Sequence, residues 1–78
     1  MAQPLTRREL EVLAFEQHRF SVAGAKGSAI AQLFPEWSET RYYQVLNNLV
    51  DRPEAEAHAP DVVRRLREVR ARRARRGR

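Results

Sequence analysis

Apolar residues recur at helical spacing near the start of the chain, directly after a helix-start signal. Thr6 and Glu9 match a capping box, in which each side chain caps the backbone amide of the other residue. The pattern predicts a first helix over about residues 7–20. We expect His18 to be a partly buried residue of this helix. The apolar side of the helix combines Val12 and Phe15 with the spaced positions Leu10, Leu13, Ala14 and Gln17.

A short turn separates two further helical patterns in the middle of the chain. Residues 21–27 hold two of the three glycines and predict a loop, and residues 28–34 predict a second helix with Ile30, Leu33 and Phe34 directed inward. Pro35 cannot continue that helix because proline lacks the amide donor. Ser38 is the predicted N-cap of a third helix. Its apolar stripe falls at Tyr42, Val45, Leu46, Leu49 and Val50.

The last third of the chain predicts one long basic helix. Pro53 is expected to end the third helix, and residues 54–59 to form a helical turn or linker. A fourth helix is predicted from Pro60, with an apolar stripe at Val62, Val63, Leu66 and Val69. No apolar residue larger than alanine follows, so we expect residues 70–78 to be frayed or disordered without a partner. The predicted organisation is a domain over residues 1–69 and an arginine-rich tail over residues 70–78.

These elements predict an all-α fold, a compact helix-turn-helix domain of three to four helices with a basic C-terminal helix. The second and third helices, joined by residues 35–37, match the helix-turn-helix plan, in which the second helix enters the DNA major groove. The turn differs from the common pattern because Pro35 and Glu36 stand where a glycine is usual. At 78 residues, the chain is expected to form one domain with a modest core.

The distribution of charge along the chain is more informative than its sum. Residues 1–60 carry six basic and eight acidic residues, a net charge of −2, whereas residues 61–78 carry nine arginines and two acidic residues, a net charge of +7. A near-neutral body with a cationic end is typical of a phosphate-binding arm, because neutralising DNA phosphates releases condensed counterions. Fourteen of the fifteen basic residues are arginine, a preference that GC-rich coding also produces, so only the clustering favours nucleic-acid binding.

The predicted outer face of the third helix carries hydroxyl, guanidinium and carboxamide groups, which pair with base edges. Simple solvation of a polar face and a solubilising tail are the alternative interpretations. The helical face lacks lysine–glutamate pairs, and basic tails often bind nucleic acid, so binding is favoured. The DNA-binding residues predicted on these grounds are Ser38, Thr40, Arg41, Tyr43, Gln44, Asn47 and Asn48 on the third helix, and Arg64, Arg65, Arg67, Arg70, Arg72, Arg73, Arg75 and Arg76 towards the C-terminus.

Catalysis and cofactor binding are not expected. The chain has no cysteine, and His18 and His58 lie far apart without a third ligand at zinc-binding spacing. No nucleophile stands beside an evident base, and no glycine-rich phosphate loop is present. No apolar run approaches the roughly 18 residues that cross a bilayer, and the N-terminal residues lack the apolar stretch of a signal peptide. We therefore expect a cytoplasmic, nucleoid-located protein that is not an enzyme, has no cofactor and has no membrane partner.

Three segments of the chain resemble a family of small actinobacterial proteins that is described as a domain of unknown function. The segments are LTRRELEVLAFE, AGAKGSAIAQLF and SETRYYQVLNNLVDRPEA, and the resemblance covers nearly the whole chain. It implies a cytoplasmic bacterial protein with a helix-turn-helix and a basic C-terminus, and it implies no particular ligand.

Two functions from different classes are compatible with the sequence. The first is double-stranded DNA binding as a transcriptional regulator or nucleoid-associated protein. The alternative is a protein-interaction module of the transcription machinery, a partner of RNA polymerase, a sigma factor or another transcription factor. RNA binding is less favoured, because the few aromatic residues are not arranged on a sheet. Monomer and homodimer both stay open, since many helix-turn-helix proteins pair to bind two half-sites.

Overall fold

Five helices form the regular structure of residues 3–18 and 20–76, the part of the chain that the computed structural model describes. No strand occurs within these residues, and the predicted all-α fold is confirmed. None of the helices in the described part is long and apolar enough to cross a membrane. The helices are α1 (Arg7–Phe15), α2 (Ala25–Leu33), α3 (Glu39–Leu49), α4 (Pro53–His58) and α5 (Pro60–Arg76).

Helix α1 begins as predicted and ends earlier than predicted. The Thr6 hydroxyl accepts a hydrogen bond from the Glu9 amide at 3.1 Å, and the Glu9 carboxylate accepts one from the Thr6 amide at 2.8 Å, which confirms the capping box. The helix ends at Phe15. The Glu16 amide still bonds four residues back to Val12, but the Gln17 and His18 amides bond to carbonyls three residues back. Arg65 of α5 donates to the Glu16 carbonyl, one of the carbonyls that a helix end leaves without an intrahelical partner.

The buried face of α1 is rotated from the predicted one. Val12, Leu13 and Phe15 are buried, as expected, but Ala14 and Gln17 are exposed. The fourth inward position belongs to Glu16, whose side chain is buried and hydrogen-bonded. The expectation for His18 was wrong: it lies beyond the end of α1 and is exposed.

Helix α2 begins three residues before the predicted start. Gly24 supplies the reversal before it with a φ of 82°, a left-handed conformation that glycine adopts without a Cβ clash, and the Ser28 amide bonds to the Gly24 carbonyl at 3.1 Å. Residues 25–27 are therefore helical and not part of the loop. Leu33 was also wrongly placed in the core: its side chain is 55% exposed, whereas the neighbouring Phe34 ring is buried.

Three aromatic rings from three segments form the centre of the core. The Phe15 ring meets the Phe34 and Tyr42 rings edge-on, each at 5.8 Å between centroids, and Phe34 and Tyr42 lie 5.3 Å apart. Edge-to-face pairs of this kind add stability beyond the area that they bury. The remaining buried apolar residues are Val12, Leu13, Ile30, Leu46, Leu49, Val50, Ala55, Ala59, Val62 and Val63.

The segment between α2 and α3 is held by an arginine of α1. The Arg8 guanidinium donates two hydrogen bonds of 2.6 Å to the Glu36 carboxylate and lies 4.6 Å from the centre of the Phe34 ring. This hydrogen-bonded pair lowers the pKa of Glu36 and raises that of Arg8. Trp37 stacks on Phe34 at 5.4 Å. The direction in which the chain enters α3 is therefore fixed from both sides.

Helix α3 forms as predicted. The Ser38 hydroxyl accepts from the Arg41 amide at 3.0 Å, so the predicted N-cap is confirmed. The predicted apolar stripe is also confirmed: Tyr42, Leu46, Leu49 and Val50 are buried and Val45 is half-buried. All polar residues of α3 are therefore left on its outer side.

Helix α5 extends beyond Val69, into the residues that were predicted to be frayed or disordered. Val62 and Val63 are buried and Leu66 and Val69 are half-buried, so the predicted stripe packs on the body. The helix continues without a break to Arg76. Alanine and arginine are among the strongest helix formers, and they make up all of residues 70–76. Gly77 and Arg78, the end of the predicted tail, lie outside the described residues.

Candidate functional site

Helices α3 and α5 form two walls of an open groove of about 910 Å³. The α3 wall presents polar side chains that are exposed, and the α5 wall presents arginines. The loop before α2 and its first turn contribute Phe20, Val22, Gly24 and Lys26 to the same groove. The predicted DNA-binding residues that the groove brings together are Thr40, Tyr43, Gln44, Asn47, Arg65, Arg70 and Arg73.

The orientation of the α3 wall follows from its buried stripe. Residues that lie three or four positions apart share one side of a helix, so burying Tyr42, Leu46 and Leu49 turns Thr40, Gln44 and Asn47 away from the core. Gln44 and Asn47 are both exposed, and the protein does not cover them. The α3 wall therefore offers a hydroxyl and two carboxamides to a molecule in the groove.

Arg70 joins the two walls. Its Nη1 lies 2.9 Å from the Asn47 Oδ1, and its guanidinium also donates to both Asp51 carboxylate oxygens, at 3.1 and 2.7 Å. The hydrogen bond from Arg70 lowers the pKa of Asp51 and raises that of Arg70, although partial burial opposes both shifts. Of the arginines at positions 70–76, Arg70 and Arg73 lie on the same side of the molecule as the polar face of α3.

Three predicted site residues, Ser38, Arg65 and Arg67, hold other parts of the fold. Ser38 caps α3, and Arg65 donates to the Glu16 carbonyl as well as lining the groove. The Arg67 Nε donates to the Val50 carbonyl at 3.0 Å, and its guanidinium lies 3.3 Å from Glu56. Arg64 is exposed and 3.9 Å from Asp61. The groove does not bring Arg64 and Arg67 to the polar face of α3.

The other predicted site residues are exposed and do not line the groove. Arg41 and Asn48 are on the outer side of α3, where Arg41 lies 3.5 Å from the Gln44 carboxamide oxygen. Arg72, Arg75 and Arg76 lie on the exposed last turns of α5. Together with the groove-lining Arg73, they make no hydrogen bond or ion pair to another residue in the described part of the chain.

A buried carboxylate under the groove was missed by the sequence interpretation. Glu16 is 2% exposed, and its two oxygens accept from the Tyr42 hydroxyl at 2.5 Å and from the Lys26 Nζ at 2.9 Å. Burial, followed by the hydrogen bond to Glu16, raises the pKa of Tyr42 far above that of free tyrosine. A signal existed in the spacing, because Glu16 follows Val12 by four residues and Leu13 by three.

The apolar lining of the groove was also missed. Phe20 and Val22 are 38% and 69% exposed and line it together with Leu46, Leu66 and Val69. Phe20 and Val22 belong to a loop without a periodic pattern, so no sequence signal indicated that they face α3 and α5. Within the described residues, no group of three or more histidine, aspartate or glutamate side chains could hold a metal ion.

Comparison with known proteins identifies the family of the chain. No curated protein and no solved structure matches it. One family model matches residues 4–78, which is nearly the full length. The chain therefore belongs to the family described as "Protein of unknown function (DUF3263)".

Proposed function

We propose that the protein binds double-stranded DNA, with the polar face of α3 directed at base edges in the major groove and the arginines of α5 at phosphates. Helices α2 and α3 with the segment between them would act as a helix-turn-helix. The observation that carries the proposal is the shared groove, in which Gln44 and Asn47 face Arg70 and Arg73. One polyanion in contact with that groove could meet both sets of groups.

The chemistry of the two walls fits different parts of DNA. Carboxamides pair with adenine, and tyrosine and threonine hydroxyls bond to bases or phosphates. Arginine forms forked hydrogen bonds to phosphate oxygens and to guanine. The exposed arginines near the end of α5, namely Arg72, Arg73, Arg75 and Arg76, supply four of the eight arginine charges of this helix. Within the described residues, their guanidinium groups make no hydrogen bond or ion pair that DNA would have to break.

The proposed role is that of a transcriptional regulator or nucleoid-associated protein in the bacterial cytoplasm, and not that of an enzyme. Most of the binding free energy would come from phosphate contacts, because nine of the fifteen basic residues lie in residues 61–78. Base contacts from α3 would add a smaller preference for particular sequences.

The salt dependence of binding tests the proposal. Fluorescence anisotropy with a labelled mixed-sequence duplex should show affinity that falls steeply between about 50 and 200 mM salt. The slope of the logarithm of affinity against the logarithm of salt concentration should become shallower by about three to four when Arg72, Arg73, Arg75 and Arg76 are together replaced by glutamine. Affinity that does not change with salt, or a quadruple variant that binds like the wild type, would contradict the proposal.

A second pair of variants tests the role of α3. Replacing Gln44 and Asn47 by alanine should reduce discrimination between duplex sequences by about tenfold, because each good base contact contributes roughly 1–3 kcal/mol. Gln32→Ala is the matched control, since Gln32 is an exposed carboxamide on α2 outside the groove. If the α3 variant and the control behave alike, binding depends on the arginines alone and the major-groove model fails.

A further inference from the structure

The groove between α3 and α5 is lined by apolar side chains as well as by polar and cationic ones. Val22 is 69% exposed there, and Phe20 is 38% exposed although its ring lies 5.5 Å from the buried Phe15 ring. Half-buried Leu66 and Val69 extend the same apolar surface along α5. Exposed apolar side chains gathered in one groove and bordered by polar groups mark an interaction site.

The border of the groove is positively charged. Four cationic side chains line it, namely Lys26, Arg65, Arg70 and Arg73, against the single carboxylate of Glu16. That carboxylate is buried and already bonded to Lys26 and Tyr42. Arg70 shows that the border accepts carboxylates, because it holds both oxygens of Asp51. An occupant with carboxylates beside an apolar stripe would complement both properties.

We infer that the groove binds an acidic amphipathic helix of a partner protein. A helix satisfies its own backbone hydrogen bonds and presents an apolar stripe at positions i, i+3, i+4 and i+7. A peptide that binds by strand addition would need a free strand edge, and the described residues contain no strand. The apolar stripe of the partner helix contacts Val22, Leu66 and Val69. Its carboxylates pair with Arg73 and, in exchange for Asp51, with Arg70. This interaction goes beyond DNA binding and does not depend on it.

A second copy of this chain is a poor occupant on grounds of charge. Its longest helix, α5, carries eight arginines and two acidic residues, so it repels the cationic border. Its most acidic helix, α4, has only six residues, and one of them, Ala55, is buried in the core of its own chain. The helix therefore comes from a different protein.

A designed peptide tests the inference with the full-length protein. The probe is a fluorescein-labelled peptide of about 18 residues, rich in glutamate and alanine, with leucines at i, i+3, i+4 and i+7. Its control has the same composition with the leucines spread around the helix. The amphipathic peptide should bind at least about tenfold more tightly than the control. In amide-resolved NMR spectra it should shift the resonances of Val22, Leu66 and Val69 more than those of Gln32 and Leu33.

Two exposed apolar residues provide matched variants. Val22→Ser should weaken peptide binding about fivefold, because it removes an apolar side chain from the groove. Leu33→Ser should leave peptide binding unchanged, since Leu33 is 55% exposed on α2 and does not line the groove. Both sites are exposed, so both variants should fold, and circular dichroism checks this.

Several outcomes would overturn the inference. Equal binding of both peptides would mean that the arginines attract any acidic chain. The groove would be excluded as a docking site if Val22→Ser and Leu33→Ser had equal effects on peptide binding. Resonance shifts on the opposite face of the protein, or no peptide binding, would exclude it as well. A sedimentation measurement that shows a dimer blocked by Val22→Ser would assign the groove to a second copy. The peptide titration contains no DNA, so its failure and a failure of the proposed DNA binding are distinguishable.

Discussion

The two ends of α5 carry the same kind of side chain in different surroundings. Near its beginning, Arg65, Arg67 and Arg70 donate hydrogen bonds to other segments of the protein. Near its end, the arginines at 72, 73, 75 and 76 are exposed and make no such bonds among the residues that the structure describes. A run of arginines is therefore not one functional unit. Arg65, Arg67 and Arg70 connect α5 to the body, whereas Arg72, Arg73, Arg75 and Arg76 can meet a ligand without breaking a hydrogen bond to another segment.

The largest effect on the fold is expected at Arg65. Its guanidinium donates to the Glu16 carbonyl where α1 ends. Arg65→Met keeps much of the apolar stem and leaves that carbonyl without its partner, so the free energy of unfolding should fall by about 2 kcal/mol. Urea unfolding followed by the fluorescence of Trp37, the only tryptophan, measures the loss. An unchanged unfolding midpoint would mean that the first part of α5 is as free as the last.

The next largest effect is expected at Arg73, on DNA affinity and not on stability. One phosphate contact contributes about 0.9 to the salt slope, so Arg73→Gln should weaken duplex binding about eightfold at about 0.1 M salt. The unfolding midpoint should stay unchanged. Arg64→Gln is the matched control, because Arg64 is 71% exposed on the same helix and does not line the groove. Equal losses for the two variants would show that binding depends on total charge and not on the groove.

A smaller effect is expected at Arg67, which faces α3 and α4. Arg67→Gln removes a hydrogen bond to the Val50 carbonyl at the end of α3 and an ion pair with the exposed Glu56. The free energy of unfolding should fall by about 1 kcal/mol, because an exposed ion pair adds little to one hydrogen bond. Chemical denaturation measures this change. A loss of DNA affinity as large as that of Arg73→Gln, with stability unchanged, would move Arg67 into the ligand-binding group.

The same contrast explains which features could be predicted from the sequence. The caps at Thr6 and Ser38 depend on residues three positions away, so local spacing was enough to find them. The apolar stripe of α3 was found from its periodicity for the same reason. The hydrogen bond that Arg65 donates at the end of α1 joins residues 49 positions apart, and no local pattern contains that contact.

The residue types of the candidate site could be predicted from the sequence, but the arrangement of those residues around the groove could not. The outward face of α3 follows from its stripe, so Gln44 and Asn47 could be named in advance. The separation of the arginines into bound and free groups depends on how α5 crosses α3 and α1. The same packing brings Phe20 and Val22 to the groove and encloses Glu16 with Tyr42 and Lys26. Contacts between distant segments set these features. The local sequence pattern indicates only the inward position of Glu16, through its spacing from Val12 and Leu13.

The smallest effect on stability is expected at Asp51, which binds Arg70. Arg70 lies between the arginines that are bonded to the body and the exposed arginines near the end of α5. The hydrogen bond from Arg70 lowers the pKa of Asp51, so the pair stabilises the folded state above the ordinary aspartate pKa of about 3.9. That contribution is lost as the pH falls through the lowered pKa in the folded protein. The thermal midpoint of Asp51→Asn should therefore be slightly below that of the wild type at neutral pH, and the difference should disappear in acid. Glu9 and Glu36, whose pKa values are also lowered, titrate in both proteins and cancel in the comparison.

Asp51→Asn should at the same time raise DNA affinity by about twofold to fivefold, because Arg70 loses its carboxylate and becomes available to a phosphate. Anisotropy at neutral pH measures this gain, and Glu56→Gln, which also removes an exposed carboxylate but does not contact Arg70, is the control. A gain in DNA affinity for Asp51→Asn and not for Glu56→Gln would assign Arg70 an intermediate role. It would be bonded to Asp51 in the free protein and released from Asp51 by a ligand. A loss of affinity would mean that Asp51 positions Arg70 beside Asn47 for binding, so that Arg70 acts on DNA only while the fold holds it.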